Sequence, residues 1–379
     1  MNGMQILGES LARLRASRTS LKWRAYPDDV LPVWVAEMDA RPCAAVVDAV
    51  RTALETGDTG YPWAPLFAEA FAAFAQRRWG WHPSAADAVV LPDTMIGIEA
   101  LLRIATDPAA AVVLSPPCYD SFYGFVAATG RRLLTAPLGA DHRLDFDALA
   151  GAFHAAGAGS AYVLCNPQNP TGTVHSADEL ARLAILADRF GVQVIADEIH
   201  GPLVHPGVHF TPYLSVPAAA RGLAVVSASK AWNIAGLKAA LAFPGAAARD
   251  VLSRFPEVET HGASQLGILG QTAAYAEGEA WLDQVRDELM QRRALLVRLL
   301  ADRLPAVRVA PSAATYLAWL DCSGLGFDDP AAAFLERGRV KLSTGAGYDA
   351  RATQWVRFNF ATSPEVIDEA VARMHAACG

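Results

Sequence analysis

The sequence predicts an α/β protein built on a mainly parallel β-sheet, with a smaller α+β domain beside it. Through the middle of the chain, short apolar runs alternate with amphipathic segments of helical length, which is the pattern of strands and crossover helices. The chain has 379 residues, which is too long for one ordinary hydrophobic core. Hydrophobic residues make up 53% of it and charged residues 19%, as in a compact globular protein.

Four apolar runs are predicted to be strands, and three segments with apolar residues at three-to-four spacing are predicted to be helices. Ser176 and Glu179 have the spacing of a capping box, which indicates where the second helix begins. The strands are expected at residues 111–114, 161–165, 192–196 and 223–226, and the helices at 98–105, 176–190 and 279–303.

The pattern changes after Pro305, where shorter strand-like pieces at 315–320 and 354–360 precede a last helix at 364–378. This change predicts a separate small domain. We expect a large domain at residues 41–285 that binds the cofactor inferred below, a C-terminal small domain at 286–379, and an N-terminal segment, 1–40, that joins the small domain.

The composition predicts a cytosolic protein that binds a small molecule. The net charge is −7 and there is no long block of Lys and Arg, so neither a nucleic acid nor a membrane is an expected partner. No apolar run reaches about 18 residues, the length of a membrane span, and no secretory segment opens the chain. The five cysteines are scattered without a C-x-x-C pair, which predicts reduced, mostly buried thiols and a cytoplasmic location.

Three predicted strands are followed directly by residues with unusual chemistry. Asn-Pro-Gln-Asn-Pro-Thr-Gly occupies 166–172, Asp-Glu-Ile-His occupies 197–200, and Ser-Ala-Ser-Lys occupies 227–230. Open parallel sheets bind their ligands beyond the carboxyl ends of the strands, so these residues are expected to meet. Each motif alone has an ordinary explanation as a turn, a cap or a surface charge. Together they supply complementary parts for one aromatic cofactor, pyridoxal 5′-phosphate.

That cofactor needs an amine that bonds to it covalently, a carboxylate beside its ring nitrogen, and hydrogen-bond donors around its phosphate. Lys230 is the candidate amine and the base that moves protons. Asp197 is the candidate carboxylate, which keeps the ring nitrogen protonated. Asn169 and His200 are placed to hydrogen-bond the phenolic oxygen of the ring.

The phosphate is expected to lie near the start of the helix that follows Pro92, because backbone amides at a helix N-terminus bind anions. Thr94 and Met95 are the candidates there, although helix capping is an ordinary alternative. Further phosphate ligands are expected just before Lys230, from Ser227 and Ser229, and eight positions after it, from Lys238.

The motifs resemble those of the fold-type I pyridoxal-phosphate enzymes, the aspartate-aminotransferase superfamily. The three strand-end motifs, followed by Arg-Phe-Asn-Phe at 357–360, occur in that family's order and span essentially the whole chain. The resemblance implies a mainly parallel, seven-stranded sheet flanked by helices.

Within the superfamily the chain most resembles the MalY-like and PatB-like cystathionine β-lyases, which are carbon–sulfur lyases. The similarity lies in the N-terminal signature and in Asp-Glu-Ile-His, which replaces the Asp-x-x-Tyr usual in transaminases. The similar segments are residues 20–23, 31–39, 60–62, 230–238 and 276–283.

The resemblance also implies roles for residues outside the strand-end motifs. Tyr119 would stack on the cofactor ring and take part in catalysis, and Tyr61 would reach the phosphate and substrate of the partner subunit across a homodimer interface. Arg357 would clamp the substrate α-carboxylate, which suits its planar fork. Ala36 and Asn169 would also contact the substrate.

The entrance region departs from the pattern of the group. Arg24 follows Trp23 where Asp is usual, Glu37 replaces the first Asp of Ala-Asp-Met-Asp-Phe, and Ala40 replaces its Phe. Side-chain specificity is the property these differences affect.

The expected reaction is β-elimination from L-cystathionine or a related L-cysteine S-conjugate, giving a thiol, pyruvate and ammonia. Two alternatives stay open: an aminotransferase that uses the same residues, and a regulatory or catalytically silent protein that keeps the cofactor fold. A metal site formed by His200, His205 and His209 is disfavoured, because their spacings of five and four fall in a Pro/Gly-containing loop.

Overall fold

The computed structural model describes residues 5–379, and its main element is a seven-stranded sheet. Ala240–Pro244 runs antiparallel to both of its neighbours, and the remaining four pairings are parallel. The expected mainly parallel, seven-stranded sheet is therefore confirmed. The strand order across it is Val89–Leu91, Ala240–Pro244, Leu223–Val226, Gln193–Asp197, Ala161–Cys165, Ala111–Leu114 and Arg132–Thr135.

The other elements flank this sheet or form the small α+β part. The remaining strands are Leu31–Pro32, Arg308–Val309, Leu317–Asp321, Val340–Lys341, Ser343–Thr344 and Trp355–Asn359. The α-helices are Leu11–Ser17, Leu21–Arg24, Ala44–Thr56, Pro65–Trp79, Thr94–Ala105, Ser121–Thr129, Phe146–Ala156, Ala177–Phe190, Arg249–Leu252, Glu257–Thr260, Gln265–Glu277, Glu279–Arg303, Pro330–Gly338 and Pro364–Ala376.

Local sequence signals predicted the central elements closely. Three of the four expected strands have the predicted bounds, and the fourth is shifted by one residue, so that Asp197 ends the strand opposite Cys165. The capping box forms, since the Ser176 hydroxyl accepts from the Glu179 amide and the Glu179 carboxylate accepts from the Ser176 amide. The first predicted helix begins earlier, at Thr94, because the Asp93 carboxylate caps it.

The N-terminal segment pairs with the C-terminal part of the chain. Leu31–Pro32 runs parallel to Val340–Lys341, and a four-stranded antiparallel sheet is built from residues 308–359. The helix Glu279–Arg303 continues across residue 285 without a break. The domain boundaries at residues 40 and 285 stay a prediction.

Four of the five cysteines are buried and only Cys378 is exposed, so the prediction of mostly buried thiols is confirmed. Within residues 5–379, no helix is both long enough and apolar enough to cross a membrane.

A buried ion pair anchors the N-terminal segment. The Lys22 Nζ atom lies 2.8 Å from Asp39 Oδ2, and the Trp23 indole nitrogen donates to Asp39 Oδ1 at 2.8 Å. Both charged side chains are almost fully buried. A charge removed from water in this way needs its partner, because an unpaired buried charge costs several kcal/mol.

We predict that Asp39→Ala lowers the free energy of unfolding by about 3 to 5 kcal/mol, because it leaves the Lys22 charge buried without its partner. The matched control is Asp48→Ala, since Asp48 forms an exposed pair with Arg51 whose loss should cost about 0 to 1 kcal/mol. Denaturant unfolding of both variants measures the difference. Equal stability of the two would contradict the proposed anchoring.

Candidate active site

One cavity of about 250 Å³ lies at the carboxyl ends of the central strands and collects most of the predicted site residues. This is the position that a parallel sheet favours for ligand binding. The predicted residues that line it are Ala36, Thr94, Met95, Tyr119, Asn169, Asp197, His200, Ser227, Ser229, Lys230 and Lys238. Arg357 touches the cavity wall through Asn169, and Tyr61 does not line the cavity.

Lys230 follows the strand Leu223–Val226 and is half-buried. Its Nζ atom donates to the carbonyl oxygen of Ala36 at 3.0 Å. Burial lowers the pKa of the amine to about 8, and the positive charge of Arg357 acts in the same direction while the carboxylate of Asp197 opposes it. An amine with this pKa is partly unprotonated near neutral pH, so it can act as a nucleophile or a base.

Asp197 ends the strand Gln193–Asp197 and is buried at the base of the site. Its Oδ1 atom accepts from the backbone amide of Ile199 at 3.2 Å. Burial raises the pKa of this carboxyl to about 6, although the Ile199 amide and the Lys230 charge favour the ionised form. A buried carboxylate with little compensation is well suited to pairing with a cationic group of a ligand.

His200 is buried in the same cavity, and its ring lies edge-on to Tyr316 with 6.3 Å between centroids. Burial lowers the pKa of the imidazole to about 3, and the charges of Lys230 and Arg357 add to the effect. The ring is therefore neutral near pH 7. Its Nδ1 atom has no hydrogen-bond partner among residues 5–379.

Arg357 lies on the strand Trp355–Asn359 and contacts Asn169, which lines the cavity. Its NH1 atom donates to Asn169 Oδ1 at 3.1 Å, and its NH2 atom donates to the Trp34 carbonyl at 2.9 Å. The guanidinium stacks over the ring of Tyr348, 4.9 Å from the centroid. These contacts fix the plane of a fork that can bind a carboxylate through two parallel hydrogen bonds.

The part of the cavity lined by Thr94 and Lys238 is suited to an anion. Thr94 begins the helix Thr94–Ala105, and its buried Oγ1 atom has no hydrogen-bond partner in the described part of the chain. Lys238 lies beside it and pairs with Asp93 at 2.8 Å. Backbone amides at a helix N-terminus and a nearby ammonium group together attract a phosphate.

The two candidate serines have different surroundings. The hydroxyl of Ser227 donates to the Ala239 carbonyl at 2.9 Å and lies 3.0 Å from Gln271 Oε1, so it already has protein partners. Ser229 lines the cavity and is half-buried.

Tyr119 contributes an aromatic wall, and burial raises the pKa of its hydroxyl. Sequence reasoning missed several further residues at the site. The cavity is also lined by Phe125, Cys165 and Leu237. Tyr316 packs against His200, and Tyr348 packs against Arg357. The sequence motifs give these residues no role at the site, because their contacts depend on tertiary packing.

Tyr61 lies on the surface, where 89% of it is exposed. Trp63 and Leu66 are exposed beside it in the sequence, at 71% and 62%. The described chain therefore places Tyr61 outside its own cavity.

His205 and His209 lie outside the cavity that contains His200. The His205 Nε2 atom lies 3.2 Å from the carbonyl of Thr315, and His209 lines a separate cavity with Arg77 and Arg78. Across residues 5–379, no group of three or more His, Cys, Asp or Glu side chains is arranged to hold a metal ion.

Comparison with known proteins shows the family. The family model described as aminotransferase class I and II matches residues 20–374. The chain belongs to this family. A Mycobacterium tuberculosis protein with the provisional designation cystathionine beta-lyase is 48% identical, with 96% of each chain covered. The cystathionine beta-lyase of Corynebacterium glutamicum is 34% identical, with 94% of this chain and 96% of that protein covered.

A solved structure shares the fold over almost its whole length. A Corynebacterium diphtheriae protein, provisionally designated a PLP-dependent beta-cystathionase, matches with a TM-score of 0.92 and 33% identity over 99% of both chains. The predicted fold-type I architecture is confirmed.

The charges around Lys230 predict two opposite titration shifts. Asp197→Asn should lower the pKa of the Lys230 amine, because it removes a negative charge that favours the ammonium form. Arg357→Gln should raise that pKa, because it removes a repelling positive charge.

The chain has only four lysines, so ¹³C reductive methylation of the cofactor-free protein followed by NMR can resolve each amine across pH. Lys230→Arg, which removes one resonance, assigns the signal. Shifts of the same sign in both variants would contradict this charge arrangement.

Proposed function

We propose that this protein is a pyridoxal-5′-phosphate-dependent carbon–sulfur β-lyase. Its substrate would be L-cystathionine or a related L-cysteine S-conjugate, and its products a thiol, pyruvate and ammonia. One cavity brings together the Lys230 amine, the Asp197 carboxylate and a phosphate-binding helix start, and this arrangement carries the proposal. The near-full-length similarity to cystathionine beta-lyases supports the reaction type.

The residues of the cavity fit the cofactor at both ends. Asp197 would hold the ring nitrogen, and Lys230 would form the covalent bond. Thr94 Oγ1 and His200 Nδ1 are buried polar atoms for which the described chain offers no partner, and a phosphate oxygen and the phenolic oxygen would supply one. Met95, Ser229 and Lys238 would complete the phosphate end, and Ser227 would contribute through its backbone or after reorienting its hydroxyl.

Arg357 would orient the substrate by binding its α-carboxylate. The guanidinium is buried and its Nε atom has no hydrogen-bond partner within residues 5–379, so it has capacity left for the ligand. A bidentate contact fixes both the position and the plane of the carboxylate. Asn169, whose Oδ1 accepts from Arg357, would present its amide nitrogen to the cofactor ring, with Tyr119 stacked on that ring.

Lys230 Nζ would take the α-proton of the oriented substrate. Its pKa of about 8 lets the neutral amine be populated at neutral pH. When bound, the cofactor supplies an electron sink for the charge left on the α-carbon. The bond from the β-carbon to sulfur then breaks, and the electron pair leaves with the thiolate.

A lyase and an aminotransferase share the first proton transfer, and His200 in place of the usual tyrosine favours elimination. The assay that separates them uses L-cystathionine without any oxo acid. Thiol and pyruvate in equal amounts support the lyase. Amino transfer to an added oxo acid without thiol release would overturn the proposal, and absence of the cofactor's visible absorbance would favour the silent-protein alternative.

The assembly we propose is a homodimer in which Tyr61 enters the partner's site. Its 89% exposure in the single chain, next to exposed Trp63 and Leu66, supports a contact surface there. We also propose that the enzyme works in the cytosol, where its free cysteines would stay reduced.

We predict that Lys230→Ala lowers lyase turnover by at least about a thousandfold, because it removes both the covalent anchor and the base. Lys230→Arg is the matched control, since it keeps a positive charge but cannot act as a neutral amine. Both variants should be inactive. Near-normal elimination by either one would show that the role is misassigned.

The dimer proposal predicts complementation between two inactive variants. If Tyr61 acts across the interface, a hybrid of Tyr61→Ala and Lys230→Ala subunits contains one complete site. Co-refolding equal amounts should then restore about a quarter of wild-type sites, because half of the random dimers are hybrids. No recovery, with hybrids confirmed by native mass spectrometry, would place Tyr61 outside the partner's site.

A further inference from the structure

The segment of residues 34–38, called here the 34–38 segment, crosses the active site without belonging to a helix or strand. The Glu37 amide donates to the Val35 carbonyl at 2.8 Å, which makes a γ-turn centred on Ala36. The Ala36 carbonyl lies outside that turn hydrogen bond and accepts from Lys230 Nζ and from the Tyr316 hydroxyl, each at 3.0 Å.

Side chains, rather than a β-ladder, hold the backbone of this segment. Every one of its five carbonyls accepts a side-chain hydrogen bond. The donors are Arg357 and Ser343 to Trp34, Asn359 to Val35, Lys230 and Tyr316 to Ala36, Asn359 and Lys22 to Glu37, and Asn233 to Met38.

Asn233 ties the segment to the loop that carries Lys230. It lies three residues after Lys230, and its side chain both accepts from the Met38 amide at 2.7 Å and donates to the Met38 carbonyl at 2.8 Å. Its backbone is left-handed, with φ of 57°, a conformation in which Asn is tolerated better than most residues. Because both hydrogen-bonding groups of its amide are used, the distance between the Lys230 loop and the segment is fixed.

Asn359 holds the segment from the opposite side. It ends the strand Trp355–Asn359 and is fully buried. Its Nδ2 atom donates to the carbonyls of Val35 at 2.6 Å and Glu37 at 2.7 Å, which flank Ala36. Its Oδ1 atom accepts from the Ala361 amide at 2.8 Å, so the orientation of its own amide is fixed as well.

We propose that Asn233 and Asn359 are positioning residues that fix the Ala36 carbonyl opposite Lys230 Nζ and so set the orientation and proton affinity of this amine. The proposal rests on the proposed role of Lys230 as the catalytic base. Neither asparagine touches that amine. Both act through the backbone of the 34–38 segment.

Loss of the Ala36 carbonyl should change the pKa of the Lys230 amine in one direction. A hydrogen bond accepted by a carbonyl favours the ammonium form over the amine, because the charged form is the stronger donor. If the Ala36 carbonyl moves away, Lys230 loses an acceptor in a site where burial already disfavours the charge. The pKa of the amine should therefore fall, and the amine should sample more orientations.

The test compares Asn233→Gly and Asn359→Ala with the wild-type protein. Asn233→Gly removes the side chain, and glycine adopts the left-handed backbone without steric strain, so this variant should fold even if the buried Asn359→Ala does not. The control is Gln193→Ala, which removes another side-chain amide that holds a backbone carbonyl, that of Arg221, at the far end of a sheet strand.

The first measurement is the Lys230 titration in the full-length, cofactor-free chain, followed by ¹³C-methyl NMR. Both asparagine variants should titrate about one pH unit lower than wild type, and the control should not shift. Circular dichroism and thermal unfolding verify that each variant is folded. An unshifted titration in folded Asn233→Gly would overturn the proposal.

The second measurement is lyase kinetics of the cofactor-loaded enzyme. Misorientation of the base should lower kcat about tenfold with KM nearly unchanged, and the acid limb of the kcat–pH profile should move to lower pH. A loss confined to KM would overturn the positioning role. If the wild-type enzyme releases no thiol, the proposed function fails, while the titration still tests the positioning independently.

Discussion

The site depends on the charge state of one buried lysine amine. A buried carboxylate and a buried guanidinium act on this amine in opposite directions. Burial alone would drive the Lys230 amine far toward its neutral form. Arg357 adds to that tendency and Asp197 opposes it, so that the pKa settles at about 8 rather than at either extreme. Asp197 and Lys230 follow strands of the seven-stranded sheet, whereas Arg357 lies on the four-stranded sheet. Both sheets therefore have to form before the amine has this charge environment.

The N-terminal segment completes the balance by supplying an acceptor. The buried pair of Lys22 and Asp39 anchors the segment, and Asn233 and Asn359 hold it above the site. Glu37 and Ala40, which differ from the residues usual in the similar lyases, lie in the same region. The Glu37 carboxylate accepts from the Ser20 hydroxyl at 2.6 Å, and the Ala40 carbonyl accepts from Arg18 at 2.8 Å. The same set of contacts therefore holds the N-terminal region in place and sets the position of the carbonyl that accepts from Lys230.

The part of the structure that the sequence predicted is the part determined locally. Apolar runs and a capping box gave the central strands and the helix Ala177–Phe190 almost residue for residue. The rule that ligands bind at the carboxyl ends of parallel strands then brought Asn169, Asp197 and Lys230 to one cavity without any knowledge of distances.

The remainder depends on contacts between distant parts of the chain. Arg357 meets Asn169 across 188 residues and Trp34 across 323, and Asn359 meets Val35 across 324. No periodicity or local motif encodes such pairings. For the same reason no local pattern predicts the γ-turn at Ala36, since side chains far along the chain hold it rather than its own sequence.

We infer that Lys230 alone anchors the cofactor, and the small number of lysines allows a direct test. Borohydride reduction of the pyridoxal-phosphate-loaded protein, followed by peptide mass spectrometry, reports which lysine carries the added mass. We expect one phosphopyridoxyl group per chain on the peptide that contains Lys230, with Lys22, Lys238 and Lys341 unmodified. A stoichiometric label on any of those three, or none on Lys230, would contradict this inference.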